Sequence, residues 1–334
     1  MDLYTQTEVT DAVKRIEDKN TGLLGLVFKR QATHLTETIT TDIDENIPEV
    51  APLISDVEEG VVLKDKGYVS KVLTPAFTRV KKEVNRAKVL ARMAGQKLGD
   101  ATDNTEVLKA AALKQAKDSI IQRLKVMATQ ALFDGAISYQ DEAGRKYNVD
   151  FNRKATLSTT LTGSDAWSDE NANPIENLED WADGIRQESG SDANAVIFDP
   201  KAWSLARKNK FVKEALDTRR GSGSELETAC ATVGNVRHVG TLGTLEVLVY
   251  SEQYVENGVS KPMLKENSAL LLNTEDVLGV QHFGSLMTKE GLVETDFLAK
   301  EIYDEEVSKL WEIVESRPLL VPHRINATFA ATVA

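Results

Sequence analysis

Between Asp103 and Gly135 lies the strongest local signal in this chain of 334 residues, and it limits what everything else can fold into. Ala112, Ala116, Ile120, Leu124 and Ala128 recur at i+4, the spacing that keeps one stripe of a helix apolar. Asp103 with Glu106 three residues on has capping-box character, and Gly135 stands where a C-cap is expected. The pattern predicts one helix over about 104–134. At about 1.5 Å per residue it reaches roughly 45 Å, longer than the common globular helix. Such a rod runs along the back of a sheet or spans a flat domain.

The rest of the chain is read around that rod. Residues 1–35 do not form a compact unit by pattern. Val9, Val13 and Ile16 share a face of a short helix that Thr7 would cap, and the cluster Leu23, Leu24, Leu26, Val27 and Phe28 follows. Such an arm either folds onto its own domain or adheres to a neighbour. From Glu37 to about Val89 the chain leans to β structure, with Thr38, Thr40 and Thr41 around Ile39, then Val61, Val62 and Leu63. Across Lys64-Asp65-Lys66-Gly67 it returns through Tyr68, Val69, Val72 and Leu73 as a long hairpin. Two strands alone are marginal in water, so the hairpin must lie on its own domain or on another subunit.

Beyond the rod, a second hairpin is expected over Ile137 to Phe151, turning at Glu142-Ala143-Gly144. From Trp167 onward helices and strands alternate, as in a second, mixed domain. Pro174 to Glu188 carries Ile175, Leu178, Trp181, Ala182 and Ile185 on one helical face, Ala195 to Phe198 is a short buried strand, and Pro200 opens a helix through Phe211. Ser224 with Glu227 forms another capping box, and Leu245, Val247 and Val249 mark a strand. Asn257-Gly258 is the sharpest hairpin signal, because a type I′ turn needs positive φ at both central residues. Leu310 to Val314 is apolar and β-branched, Pro318 and Pro322 bracket Leu319-Leu320-Val321, and Ile325 to Val333 reads as a last strand.

Chemistry is harder to find. Forty basic against 52 acidic side chains leave a net charge of −12, which disfavours a nucleic-acid-binding module. Cys230 is the single cysteine and cannot form an internal disulfide, which fits a reducing cytoplasm. No stretch approaches the 18 or so apolar residues of a membrane span, and no secretory signal is visible, so a soluble chain is expected with no membrane partner. The histidines at 34, 238, 282 and 323 have no zinc-type spacing, and each is expected on the surface or as a satisfied core residue. Arg219-Arg220-Gly221-Ser222-Gly223-Ser224 resembles a phosphate cradle but lacks the Gly-Lys-Ser/Thr ending of a P-loop and the third glycine of a dinucleotide fingerprint. Asp42-Ile43-Asp44-Glu45-Asn46 starts like a calcium loop without its glycine or its closing glutamate. No Gly-x-Ser-x-Gly elbow exists. No catalytic residue, metal or cofactor is therefore expected. Protruding elements without an active site suggest assembly.

Three segments carry a more specific message. They are Phe198-Asp199-Pro200-Lys201-Ala202-Trp203, the run from Leu216 through Arg219-Arg220-Gly221-Ser222-Gly223-Ser224 to Ala229, and Val249-Tyr250-Ser251-Glu252-Gln253-Tyr254-Val255-Glu256-Asn257-Gly258-Val259. They closely resemble the major capsid protein E family of phage lambda over about residues 195–260. The order of elements outside that stretch is similar to the Hong Kong 97-like capsid fold, an α+β architecture with an N-terminal arm, an extended E-loop hairpin, a peripheral P domain with a long spine helix, and an axial A domain.

That resemblance implies an arm over 1–35, a P-domain strand over 36–49, the E-loop over 50–85, the P domain with spine helix 104–134 over 86–154, the A domain over 155–300, a P-domain return strand over 301–322, and a final strand over 323–334 rejoining the A domain. It further implies a subunit that builds hexamers and pentamers of a T=7 icosahedral head in the host cytoplasm, around double-stranded DNA that it does not read by sequence. A decoration protein at the three-fold sites, a portal and a scaffold are implied partners. Leu24, Phe28, Lys64, Lys66, Tyr68, Arg219 and Arg220 are the expected subunit contacts. Two alternatives stand beside this reading: a cellular shell protein of the same fold, and an enzyme using the Arg219-to-Ser224 loop as an anion site.

Overall fold

The computed structural model describes residues 4–16, 21–43, 69–84, 105–140, 144, 146–213, 232–233, 235–289, 291–306 and 309–334. Its helices are α1 (Gln6–Arg15), α2 (Leu23–Leu26), α3 (Thr105–Thr129), α4 (Pro174–Ser189) and α5 (Pro200–Lys208). The rod is α3, 25 residues long and prolonged by a π-helical turn, Gln130–Asp134, that ends at Gly135 with φ 70°. Asp103 and Asn104 lie outside the described residues, so the expected capping box does too. At the other end the Arg153 guanidinium donates to the carbonyls of Leu132 and Phe133, satisfying acceptors that a helix C-terminus leaves without a partner.

Along its first half, α3 lies on a three-stranded antiparallel sheet in which Lys309–Ser316 is central between Leu298–Asp304 and Thr78–Val84. Val80, Ala299 and Val314 meet Leu113, Ala116 and Ile120 there, and Val9 and Val13 of α1 close the same cluster. The arm helix thus folds onto its own domain. Its N-cap is Thr5 rather than Thr7: Thr5 has a glutamate at N3, Glu8, and the two close a reciprocal capping box, whereas the residue three beyond Thr7 is Thr10.

The second half of α3 serves a different core. A seven-stranded mixed sheet runs in the order Ser158–Thr160, Thr328–Thr332, Ser268–Leu272, Ala195–Phe198, Leu245–Tyr250, Val236–Leu242, Thr232–Val233. Its central strand, Ala195–Phe198, is wholly buried, parallel to Leu245–Tyr250 and antiparallel to Ser268–Leu272. Val196, Phe198, Val247 and Leu271 join a cluster with Trp181 of α4 and Trp203 of α5. Residues of alternate position, Ile197, Leu248 and Leu270, join a cluster with Leu124, Met127 and Ala131 of the spine. Period-two side-chain alternation therefore feeds two cores from one sheet. The last strand begins at Thr328, after a 3₁₀ turn over Ile325–Ala327.

A third sheet binds the N-terminal segment. Arg30–Thr33 runs parallel to Gly279–Phe283, which pairs antiparallel with Pro318–Pro322. Two-stranded hairpins complete the description: Ile39–Ile43 with Val69–Leu73, Ala136–Gln140 with Lys146–Asp150, Gln253–Glu256 with Val259–Pro262, and Leu286–Thr288 with Gly291–Val293. The described partner of Val69–Leu73 is thus Ile39–Ile43; residues 61–63, expected in that role, lie outside the described residues, as does the tip at 64–67. Asn257 (φ 52°) and Gly258 (φ 79°) make the left-handed turn that their sequence demands. Helix α5 stops at Lys208 instead of reaching Phe211, because Asn209 turns to ψ 143° and its side chain caps the Phe211 amide and donates to Ala172 O.

Candidate assembly surfaces

Of the expected contact residues, Leu24 and Phe28 are only 4% and 0% exposed, buried in their own chain. The sheet explains why. The strand that follows them is paired to Gly279–Phe283, and a Cβ at Gly279 would lie 2.8 Å from both Val27 O and Phe28 Cδ1. The absent side chain is what lets this segment close down, and these two residues serve the subunit's core rather than its outside. Lys64, Lys66, Tyr68, Arg219 and Arg220 lie outside the described residues, as does the Arg219-to-Ser224 loop.

Several exposed apolar side chains lie on or beside two-stranded hairpins, while Tyr4, Leu35, Val107, Ile302 and Tyr303 lie elsewhere. Met287 and Leu292 face each other in register across the 286–293 hairpin, at 67% and 45% exposure, with Val293 beside them. Val255 and Val259 flank the Asn257-Gly258 turn, and Val72 and Phe77 lie near the stem of the long hairpin. The Arg79 and Arg317 guanidiniums sit 5.0 and 5.6 Å from the centre of the Phe77 ring. Sequence patterning missed these side chains because all but Phe77 sit in ordinary alternating strands, where nothing in the pattern marks a position as uncovered.

Beneath the surface are charges that the apolar pattern concealed. Lys109 of α3, 4% exposed, lies 2.9 Å from Glu301 and 3.5 Å from Glu106, and sits 4.8 Å from the ring centre of Tyr4. Glu312, in register with Glu301 across the sheet, has a buried Oε2 without a partner. Burial first, and then the Glu301 carboxylate, push its pKa up to about 7. It lines a groove of about 570 Å³ between α1 and α3, with Val9, Ala12, Ile16 and Leu113. Lys125 Nζ donates to Glu252 at 2.7 Å, and Tyr250 Oη donates to the other oxygen at 2.7 Å. Burial alone would raise the Glu252 pKa, but hydrogen bonds from Lys125, Tyr250 and Gln122 outweigh it and hold the carboxylate below its usual range.

Three of the four histidines meet. His34 Nε2 is 2.8 Å from His282 Nδ1, and His282 Nε2 is 3.4 Å from His323 Nε2. Burial, followed by the imidazoles of His323 and His34, pushes the pKa of His282 down to about 4. Among the described residues no group of three or more His, Cys, Asp or Glu side chains is arranged to hold a metal ion, and no helix is long and apolar enough to cross a membrane.

Solved structures define the class. A protein described as a prophage capsid protein of E. coli CFT073 matches with a TM-score of 0.75 and 20% sequence identity, over 100% of both chains. The capsid of Ralstonia phage GP4 matches with a TM-score of 0.54 and 11% identity, over 96% of this chain and 93% of that one. The architecture is the Hong Kong 97-like α+β fold of capsid shells. Sequence comparison is more specific: 28% of 330 residues are identical to the major capsid protein of Escherichia phage lambda, covering 96% of each chain. The phage major capsid protein E family matches residues 5–333, and the chain belongs to that family. It is a structural shell subunit and not an enzyme.

Proposed function

We propose that this chain assembles with copies of itself, as hexamers and pentamers, into the T=7 icosahedral head of a tailed phage, and that the head encloses double-stranded DNA. The observation that carries the reading is the family match across residues 5–333, nearly the whole chain. The subunit works in the virion and is assembled in the host cytoplasm, with a portal, a scaffold and a decoration protein at the three-fold sites as partners. The sequence-derived division into arm, E-loop, P domain and A domain is kept, with one boundary drawn by sheet membership. Gly279–Phe283 pairs with Pro318–Pro322 and Leu298–Asp304 with Lys309–Ser316, so these two strands are assigned to the P domain rather than the A domain.

The physics of such a shell favours contacts that are individually weak. About −4 kcal/mol is only a millimolar pairwise Kd, so wrong contacts dissolve before closure while multiplicity holds the finished particle. Apolar hairpin faces such as Met287 and Leu292 suit this role, since an isolated subunit exposes them and a neighbour covers them. A net charge of −12 disfavours nonspecific adhesion of the genome to the wall. Negative-stain microscopy of the purified full-length chain tests the reading: closed shells are expected, and a monodisperse monomer at every concentration and salt would refute it. Lys64, Lys66, Tyr68, Arg219 and Arg220 remain the proposed contacts. Replacing Arg219 and Arg220 together by alanine should lower the yield of shells in sedimentation while leaving monomer melting unchanged, and a normal yield would count against them.

A further inference from the structure

We infer that the hairpin formed by Leu286–Thr288 and Gly291–Val293 docks in the groove between α1 and α3 of a second copy of this chain, where the Lys289 ammonium at its tip meets the buried Glu312 carboxylate. The contact rests on the self-assembly proposed above and names one pair of surfaces through which it occurs.

On one side is the groove. Glu312 lies two residues before Val314, and strand alternation puts both side chains on the face of the sheet that α3 covers. Glu312 is 1% exposed, its Oε2 accepts no hydrogen bond, and it lines the groove of about 570 Å³ together with Val9, Ala12, Ile16 and Leu113. A buried acceptor left without a donor is costly, and the groove is an open route by which a donor from outside can approach it. The lysines in the same lining do not fill the need. Lys109 is held by Glu301 and Glu106, and Lys114 is exposed and makes no hydrogen bond or ion pair with any described residue. An occupant that matches both the walls and the acid carries apolar side chains and one cation.

On the other side is the hairpin. Met287 and Leu292 stand in register on one face, and their exposure of 67% and 45% shows that their own subunit does not cover them. Lys289 follows Thr288 at the turn, is exposed, and makes no hydrogen bond or ion pair with any described residue. An apolar face with a cation at its tip thus matches an apolar groove with an acid that lacks a donor. The groove has room for a few side chains rather than a folded segment, which suits the face and tip of one hairpin. Because groove and hairpin are different surfaces, the contact is heterologous. Each subunit gives its hairpin to one neighbour and receives that of another, the arrangement that closes into rings when the rotation fits.

A double-mutant cycle on assembly tests the pairing. Shells of the full-length chain are separated from free subunits by sedimentation at about pH 8, where Glu312 is ionised. Lys289→Met keeps the reach of the side chain and removes its charge; it should raise the subunit concentration at which shells appear by about threefold or more. Glu312→Gln should raise it to a similar extent, and the two together no further than either alone. Melting of the unassembled Lys289→Met subunit should be unchanged, because Lys289 is exposed there. An unchanged threshold in Lys289→Met, or effects that multiply in the double variant, overturns the docking while the shells themselves uphold self-assembly. A natural chain that forms no shells at any concentration overturns both.

Discussion

Glu312→Gln should stabilise the subunit in alkaline solution and leave it unchanged in acid. Glu312 is 1% exposed, stands in register with Glu301, and shares with Glu301 and Glu106 a single close ammonium, Lys109, which is committed to the other two. Lys82, in register on its other side, is solvent-exposed. The folded chain therefore holds the Glu312 proton up to about pH 7, whereas the unfolded chain releases it near 4.5. Across that window the native state binds more protons, so stability falls as pH rises and levels off above about 7. At about 1.4 kcal/mol per pH unit the full cost of ionisation is about 3 kcal/mol. Glutamine has no such proton to lose. The advantage of the variant should be near zero below pH 4.5, about 1 kcal/mol at pH 5.5 and about 3 kcal/mol at pH 8. Urea unfolding of the unassembled chain, followed by tryptophan fluorescence, reads it. Taking the difference between the two proteins at each pH cancels the opposite titration of His282, whose depressed pKa removes stability as pH falls from about 6.5 to about 4. A gap that stays constant from pH 5.5 to pH 8, or narrows, would refute the reasoning.

Lys125→Met leaves Glu252 buried beside Tyr250 without its ammonium and should cost about 3–5 kcal/mol in the same assay; adding Glu252→Gln should recover much of it. Gly279→Ala puts a Cβ 2.8 Å from the Val27 carbonyl oxygen and the Phe28 ring, and should loosen the N-terminal segment at a cost of about 1–3 kcal/mol, seen as faster exchange over residues 24–33. Thr5→Ala should destabilise α1 by about 1 kcal/mol and speed proteolysis of the arm, while Thr7→Ala should do neither, because the cap is Thr5.

What the sequence disclosed depended on whether a structural cause was local. Helix α4 was legible because Ile175, Leu178, Trp181, Ala182 and Ile185 share one helical face behind Pro174; the structure adds the Asn173 side chain bonded to the Ile175 amide and a left-handed Gly190 at the end. The Asn257-Gly258 turn was legible because its cause is equally local. The partner of Val69–Leu73 was not, since antiparallel pairing with residues 39–43 is a choice between equally β-prone segments that only the tertiary fold decides. The imidazole trio was invisible. His34 and His282 are 248 positions apart, and a single histidine in an alternating strand leaves no periodic trace. Even the apolar strand over Leu310–Val314 hid its most consequential residue, because Glu312 points inward and polarity marks a position as outward by default.

The spine helix shows how much the apolar stripe left unsaid. Between the alanines and leucines that reveal it, Lys109, Lys117 and Lys125 recur every eight residues, each no more than 4% exposed. Eight residues advance a helix by two turns and about 80°, so the three ammoniums point to three different neighbours. Lys109 reaches Glu301 in the three-stranded sheet, Lys117 donates to the Ile16 carbonyl at the end of the arm helix, and Lys125 reaches Glu252 beyond the seven-stranded sheet. Apolar contacts alone would tolerate a slide or a roll of the rod, since one leucine replaces another at small cost. A buried ammonium tolerates it less: parting Lys125 from Glu252 alone costs about 3–5 kcal/mol, and the same displacement would part Lys117 from the Ile16 carbonyl and leave Lys109 only Glu106 of its own helix. The lysines thus fix the register of arm, sheet and mixed domain on a single axis. Any rearrangement of the subunit in a shell should therefore fall to parts this axis does not fasten, chiefly the two-stranded hairpins.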